Sequence, residues 1–242
     1  MQKLLVTTAK DLSSDVFEKH GWDVLQYGLN LSSDKEYDVV YFRDPFNDDT
    51  VTKEAVEKSL GQIKGKRSID GVQAFSDMLS CEDKYNQARI YQDLMPITYL
   101  PSEQEFIKGK HIAKKRISQR SKDILFDIDG VAIDDNWIFQ EIMDIKEELR
   151  VYIVFGKVVE YATIKSSKAS GKVKVIGKRT LSEKELEFCQ KVSERTNLDF
   201  VGIDVAVLEG GELALIEVNR SPQFKRFVEL YGDEPLMGIL NL

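Results

Sequence analysis

Cysteine and histidine are nearly missing from this chain of 242 residues, which has two of each. Cys81 and Cys189 lie far apart with no second ligand nearby. They read as reduced core thiols of a cytosolic protein, which excludes a disulfide framework and a thiolate metal centre. His20 and His111 stand alone, which excludes a histidine-based metal site or catalytic triad. An excess of positive charge is also lacking: 34 Lys and Arg against 41 Asp and Glu give a net charge of −7. That balance argues against a general nucleic-acid or membrane coat, so neither partner is expected. No apolar run is long enough to span a bilayer. The N-terminal MQKLLVTTAKD lacks the apolar core of a signal peptide and reads as a first strand, so the expected location is the cytoplasm.

What remains is a chain long enough to bury a sizeable core, as one large domain or as small lobes sharing a cleft. The first third alternates strand and helix signals. KLLVTT (3–8), DVLQYG (23–28) and YDVVYF (37–42) read as strands, with a helix from about Ser13 to His20 and another from Thr52, a plausible cap, to Leu60. Glu54 lies in the first turn of that second helix, where its charge favours the helix dipole. This order predicts a small parallel α/β lobe. From Cys81 to Met95 the pattern is helical until Pro96. Strands follow at about 111–116, 123–126 and 138–143, and then a hairpin over 149–166 turning at Phe155-Gly156-Lys157. Ser182 to Asn197 is an amphipathic helix in which Ser182 caps, Glu185 completes a capping box, and Leu186, Cys189 and Val192 mark the buried face.

The clearest element is GIDVAVLEGGELALIEV (202–218), two apolar runs around Glu209-Gly210-Gly211-Glu212. A two-residue Gly210-Gly211 turn pairs Val207 with Ala214, Val205 with Ile216 and Ile203 with Val218 on an apolar face. The other face pairs Leu208 with Leu213, Ala206 with Leu215 and Asp204 with Glu217, and Asn219 lies about 7 Å further along the strand. Like charges opposite one another destabilise a sheet. Either one acid is protonated or paired with a base, or a divalent cation sits between them. Asp204, Glu217 and Asn219 offer only hard oxygens, which suit Mg²⁺.

At GIDVAVLEGGELALIEVNRSP the chain resembles the metal-binding end of ATP-grasp ligases, of the ribosomal-protein glutamate ligase and glutathione synthetase type. The resemblance implies an α/β fold of α+β lobes, with a small N-terminal parallel α/β domain (1–79). An ATP-grasp domain (80–242) follows, whose two α+β subdomains (80–140 and 141–242) clasp the nucleotide. It implies that Asp204, Glu217 and Asn219 hold two Mg²⁺ ions, for which Mn²⁺ can substitute, against the phosphates of ATP. The segment IFQEIMDIKEELRVYIVFGKVV is similar to the family's hinge. By that likeness Glu141, Ile142 and Met143 line the adenine, Glu148 binds the ribose hydroxyls, and Arg150 stabilises the transferred phosphoryl group, a task that suits an always-charged guanidinium. Lys84 and Lys114 match the two phosphate-directed lysines, and Lys165 stands where relatives carry another basic contact. Arg43 and Arg220 are candidates for holding a substrate carboxylate, or else structural ion pairs.

The chain departs from the family pattern in three places. The stretch from Ile112 to Asp129 has no glycine where relatives carry a glycine-rich loop, so Ser118, Arg120, Ser121 and Lys122 are expected to meet the phosphates by side chain. Ser-Pro-Gln replaces Ser-Pro-Gly, and the part after Pro222 is short for the family's C-terminal helices. The resemblance implies an ATP- and Mg-dependent carboxylate–amine ligase working through an acyl phosphate. Its substrates would be a carboxylate and an amine, each a small molecule or a peptide, and an oligomer is left open. A catalytically impaired nucleotide- or peptide-binding module and a small-molecule kinase on the same fold are the alternatives.

Overall fold

The computed structural model describes residues 1–28, 35–43, 52–72, 75–118, 123–166 and 174–240. It begins with a four-stranded parallel sheet: β1 (Lys3–Thr7), α1 (Ser14–Lys19), β2 (Asp23–Gln26), β3 (Tyr37–Phe42), α2 (Lys53–Gln62) and β4 (Gly65–Ile69), in the order β2-β1-β3-β4. The β-branched and aromatic runs that suggested strands are strands, buried on both faces at Leu4, Leu5, Val6, Tyr41 and Phe42. Thr52 caps α2, its hydroxyl accepting from the Ala55 N–H at 3.2 Å.

The single helix expected over 81–95 is two helices, α3 (Phe75–Glu82) and α4 (Lys84–Ile90). Asp83 makes the break: its Oδ1 accepts from the backbone N–H of Tyr85 at 2.9 Å and of Asn86 at 3.3 Å, starting a new helix. Past Ile90 the chain folds into turns, where the N–H groups of Leu94 and Met95 both donate to the Tyr91 carbonyl.

A second, antiparallel sheet of four strands follows: β5 (Thr98–Tyr99), β6 (His111–Lys115), β7 (Ile124–Leu125) and β8 (Trp137–Glu141), ordered β5-β8-β6-β7. β8 stops at Glu141, two residues short of the expected end, because Ile142 turns its N–H to the Lys110 carbonyl at 2.8 Å. The third sheet comprises β9 (Ile145–Val154), β10 (Lys157–Val158), β11 (Tyr161–Ser166), β12 (Lys174–Thr180), β13 (Phe200–Leu208) and β14 (Leu213–Asn219). Its order is β12-β11-β9-β13-β14, with β10 on β9 and α5 (Glu183–Ser193) between β12 and β13 in sequence. The hairpin at Phe155-Gly156 and the capping box of α5 are as expected: both the N–H and the hydroxyl of Ser182 donate to Glu185 at 2.8 Å.

The two faces of this third sheet divide its work. Leu149, Val151 and Ile153 on β9, Val201, Ile203 and Val205 on β13, and Val218 on β14 pack with Ala88, Tyr91, Cys189 and Val192 in one core. Full burial of each such side chain is worth roughly 1.5–3 kcal/mol. On the opposite face, Tyr152, Val154 and Phe200 join Phe17, Tyr41, Phe224, Phe227 and Leu236 in a second core. Two helices after Pro222, α6 (Lys225–Tyr231) and α7 (Glu234–Leu240), supply much of that core, so the short C-terminal part still contributes helices. Among the described residues no helix is long and apolar enough to cross a membrane.

Candidate functional site

The rest of that opposite face is polar, and pairing register alone assembles it. Thr163 on β11 faces Arg150 on β9, Arg150 faces Asp204 on β13, and Asp204 faces Glu217 on β14. One row further along, Lys165 faces Glu148 and Glu148 faces Ala206. On the other side, Tyr152 faces Gly202 and Gly202 faces Asn219. The predicted opposition of Asp204 and Glu217 is therefore present, although the expected turn is not. A bulge at Ile216 moves the register, so that Val205 pairs Leu215 and Val207 pairs Leu213. The loop then closes through Leu208 and Gly211, with Gly211 at φ +85°.

A base resolves the like-charge problem at Asp204. Arg150 donates Nε and Nη2 to its two oxygens at 2.5 and 2.8 Å, and Lys165 Nζ adds a bond at 2.8 Å. Burial pushes the Asp204 carboxyl upward, but Arg150 and Lys165 outweigh it and hold the group below the ordinary aspartate range. Lys165 is also paired with Glu148. Gly202 makes room for this arrangement. A Cβ there would stand 2.5 Å from Pro222 Cβ and 3.1 Å from Arg150 Nη1.

The two other lysines converge on Glu217. Lys84 Nζ is 3.6 Å from Glu217 Oε1 and donates to the Ser118 carbonyl at 2.7 Å. Lys114 Nζ donates to Gln140 Oε1 at 2.7 Å. Burial, with Lys84 adding to it and Glu217 opposing it, lowers the Lys114 ammonium to about 8. Burial and the Glu217 charge push the Glu82 carboxyl up to about 7. Glu141 ends β8, Ile142 is exposed and Met143 is half-buried. Among the described residues the Met143 backbone N–H and C=O meet no protein partner. Arg120, Ser121 and Lys122 lie outside the described residues. A cavity of about 250 Å³ opens beside Arg150 and Lys165, with Lys225 and Arg226 on its wall.

Arg43 does not face this site. It is fully buried, holding Asp11 with Nε and Nη2 at 2.7 and 3.1 Å and the Pro222 carbonyl at 3.0 Å. Arg220 is equally interior and donates to the Phe42 carbonyl at 2.8 Å. The sequence reading missed Gln140, which positions Lys114, and Gln87, whose side chain bonds both the N–H and the C=O of Val218 at 3.0 and 2.8 Å. A glutamine inside an apolar strand was the available signal for Gln140; Gln87 gave none.

The donor set fits magnesium. Asn219 gives its amide N–H to the Gly202 carbonyl at 3.3 Å, which leaves the side-chain oxygen as the atom presented to a cation. Glu217 has only the 3.6 Å contact to Lys84. Asp204 accepts three bonds of the roughly four a carboxylate can take, so one lone pair on Oδ1 is left.

Residues 53–222, more than two thirds of the chain, match the family model of an ATP-grasp domain, the third family of its clade. The chain belongs to the ATP-grasp family. Homologous ATP-grasp ligases catalyse ATP-dependent C–N bond formation. No curated protein matches by sequence. Among solved structures, the ATP-grasp ligase PsnB in complex with a minimal precursor aligns with 100% of this chain and 99% of its own, at 13% identity and a TM-score of 0.64. A RiPP-associated ATP-grasp ligase from Chryseobacterium gregarium, in complex with ADP and a leader and core peptide, aligns over 95% and 92% at 16% identity and a TM-score of 0.61. D-alanine–D-alanine ligase from Bacillus anthracis aligns over 100% and 97% at 15% identity and a TM-score of 0.61. The fold is that of an ATP-grasp protein, with one parallel and two antiparallel sheets.

Proposed function

We propose that the protein is an ATP- and Mg-dependent carboxylate–amine ligase that forms an amide or peptide bond through an acyl phosphate. One observation carries this reading: the cross-strand row Arg150, Asp204, Glu217, flanked on the same face by Lys165 and Asn219. The residue ranges 1–79, 80–140 and 141–242 correspond to the lobes around it.

The Met143 backbone meets the adenine edge, beside Glu141 and Ile142, and Glu148 receives the ribose hydroxyls. Lys84, Lys114 and Lys165 hold phosphate oxygens. Glu217, Asn219 and the remaining lone pair of Asp204 hold one or two magnesium ions, or manganese in their place. When bound, the metal neutralises charge on the β- and γ-phosphates. An oxygen of the substrate carboxylate attacks the γ-phosphorus, and the bond to the β–γ bridging oxygen breaks, releasing ADP. Arg150 lies beside the cavity that receives the acyl phosphate and offers it charge-assisted hydrogen bonds. The amine nitrogen then attacks the acyl carbon, loses its extra proton, and inorganic phosphate departs with the C–O bond. Positioning and charge neutralisation account for the protein's part.

Neighbours solved with precursor peptides extend the substrate class to peptides as well as small acids and amines. The test is ADP release by the purified protein with Mg-ATP and pooled carboxylates and amines. Release that needs both supports the ligase. Release that needs only a hydroxyl acceptor makes the protein a kinase. No release, with Mg-ATP binding indifferent to Asp204→Ala and Glu217→Ala, removes the reading altogether.

A further inference from the structure

Three arginines lie in the interior near the cleft, and two of them use their side chains in the same way. Arg43 turns the edge formed by Nε and Nη2 onto both oxygens of Asp11. Arg150 turns the same edge onto both oxygens of Asp204. This is the forked geometry that matches a carboxylate. Arg220 is 1% exposed and bonds through Nη1 alone, to the Phe42 carbonyl, with Asp70 Oδ2 at 3.7 Å from that nitrogen. Its Nε and Nη2 have no hydrogen-bond partner among the described residues. A guanidinium cannot shed its charge, so two unmade bonds on a buried one are costly until something fills them.

Other buried polar atoms near the same crevice are also unsatisfied. Ser221 Oγ is on the next residue, Asp70 Oδ2 is the oxygen near Arg220, and Thr8 Oγ1 lies just past the end of β1. The order β2-β1-β3-β4 makes the gap between the carboxyl ends of β1 and β3 the point where the sheet's winding reverses. Open α/β sheets bind ligands there. Arg220 reaches that gap through the Phe42 carbonyl, at the end of β3. Asp70 holds a left-handed backbone at φ 65°, with Oδ1 accepting the N–H groups of Asp199 and Phe200 at 2.8 and 3.0 Å. On the other side, Glu82 accepts the Arg220 backbone N–H and feels the charge of Glu217. The crevice therefore continues into the phosphate-binding end of the site.

We propose that the open edge of Arg220 binds a carboxylate of the substrate pair other than the one activated, with the Ser221 and Thr8 hydroxyls as further donors. This rests on the ligase reading and narrows its substrates. Either the amine partner is an amino acid or peptide end with a free carboxylate, or the acid partner is a dicarboxylate.

The test is calorimetric titration of protein saturated with magnesium and a non-hydrolysable ATP analogue, using two matched probe pairs. L-alanine against L-alaninamide reports on the amine partner, and succinate against succinamate on the acid. The expected result is a preference of about tenfold for the free carboxylate in one pair, which identifies the source. Arg220→Lys abolishes that preference because it keeps the charge but loses the fork. Ser221→Ala and Thr8→Val weaken it several-fold, and nucleotide affinity is unchanged throughout. Equal affinities within both pairs, or a preference that survives Arg220→Lys, overturns the proposal. If Arg220→Lys does not fold, a preference untouched by both hydroxyl variants overturns it instead. A preference without ADP release leaves the site standing and removes the ligase, and ADP release without a preference does the reverse.

Discussion

Arg150 stands opposite Asp204 in the sheet and grips both of its oxygens, while Lys165 takes a third bond from the other side. Removing the acid therefore strands two buried cations. Asp204→Ala is expected to destabilise the protein by roughly 3–5 kcal/mol, because an uncompensated interior charge costs more than the pair contributes. Adding Arg150→Met to that variant recovers a large part of the loss. Urea denaturation of the two single variants and the double variant measures this, and strictly additive changes would count against it.

The lowered Lys114 ammonium gives a proton signature. Below about pH 8 the folded protein carries the full cost of a buried charge, on the order of 3 kcal/mol. That cost falls as pH rises from about 8 toward 10.5, so this residue's contribution to stability improves over that window. Phosphate oxygens favour the charged form. Nucleotide binding at about pH 8.5 is thus accompanied by proton uptake. Titration in two buffers of different ionisation enthalpy detects it. The uptake vanishes in Lys114→Met, and identical apparent enthalpies for the wild-type protein would show that no proton is taken up.

Glu82 carries the opposite sign. Its carboxyl is raised to about 7, so the folded state binds more protons than the unfolded one between about pH 4.5 and 7. Stability from this group is present below that window and is lost as pH rises through it. Asp70, raised to about 6 by burial, adds a cost of the same sign. In metal-free protein, Glu82→Gln is expected to raise the melting midpoint at about pH 8 and leave it nearly unchanged at about pH 4. A midpoint lowered at the higher pH would mean that the ionised carboxylate stabilises the fold.

The site's reliance on Gly202 is steric. The new Cβ of Gly202→Ala would overlap Pro222 and press on Arg150. The expected cost is about 1–3 kcal/mol. Turnover is expected to fall more than nucleotide affinity, since Arg150 is displaced while the adenine hinge is untouched. A turnover number equal to wild type in a folded Gly202→Ala protein would show that Arg150 tolerates the shift.

Much of this was legible from residues alone, and the exceptions share one cause. The row through Asp204 and Glu217 follows from alternation along two strands joined by a short loop. The bulge at Ile216 does not, because a distant bond sets it: the Leu215 N–H donates to the Leu94 carbonyl at 2.6 Å instead of joining the ladder. The helix break at Asp83 was hidden for a similar reason. Asp83 caps α4 but is also held by Arg116, 33 residues away, at 2.6 Å. Arg150 was assigned by resemblance, yet its grip on Asp204 depends on β9 lying next to β13, which neither segment reveals alone. Arg43 lies at a strand's carboxyl end, as expected, but Asp11 and the Pro222 carbonyl turn it inward.

Gln87 also closes a border of the large sheet. Val218 belongs to the outermost strand there, and its outward N–H and C=O are both taken by this single amide side chain. Leu215, on the same border, is tied to Leu94. A further strand would need those groups, so this border cannot extend by β-addition, either to a bound peptide or to a second copy. Whatever is brought to Glu217 and Asn219 must come down over the face of the sheet, where side chains, not backbone ladders, decide what is accepted.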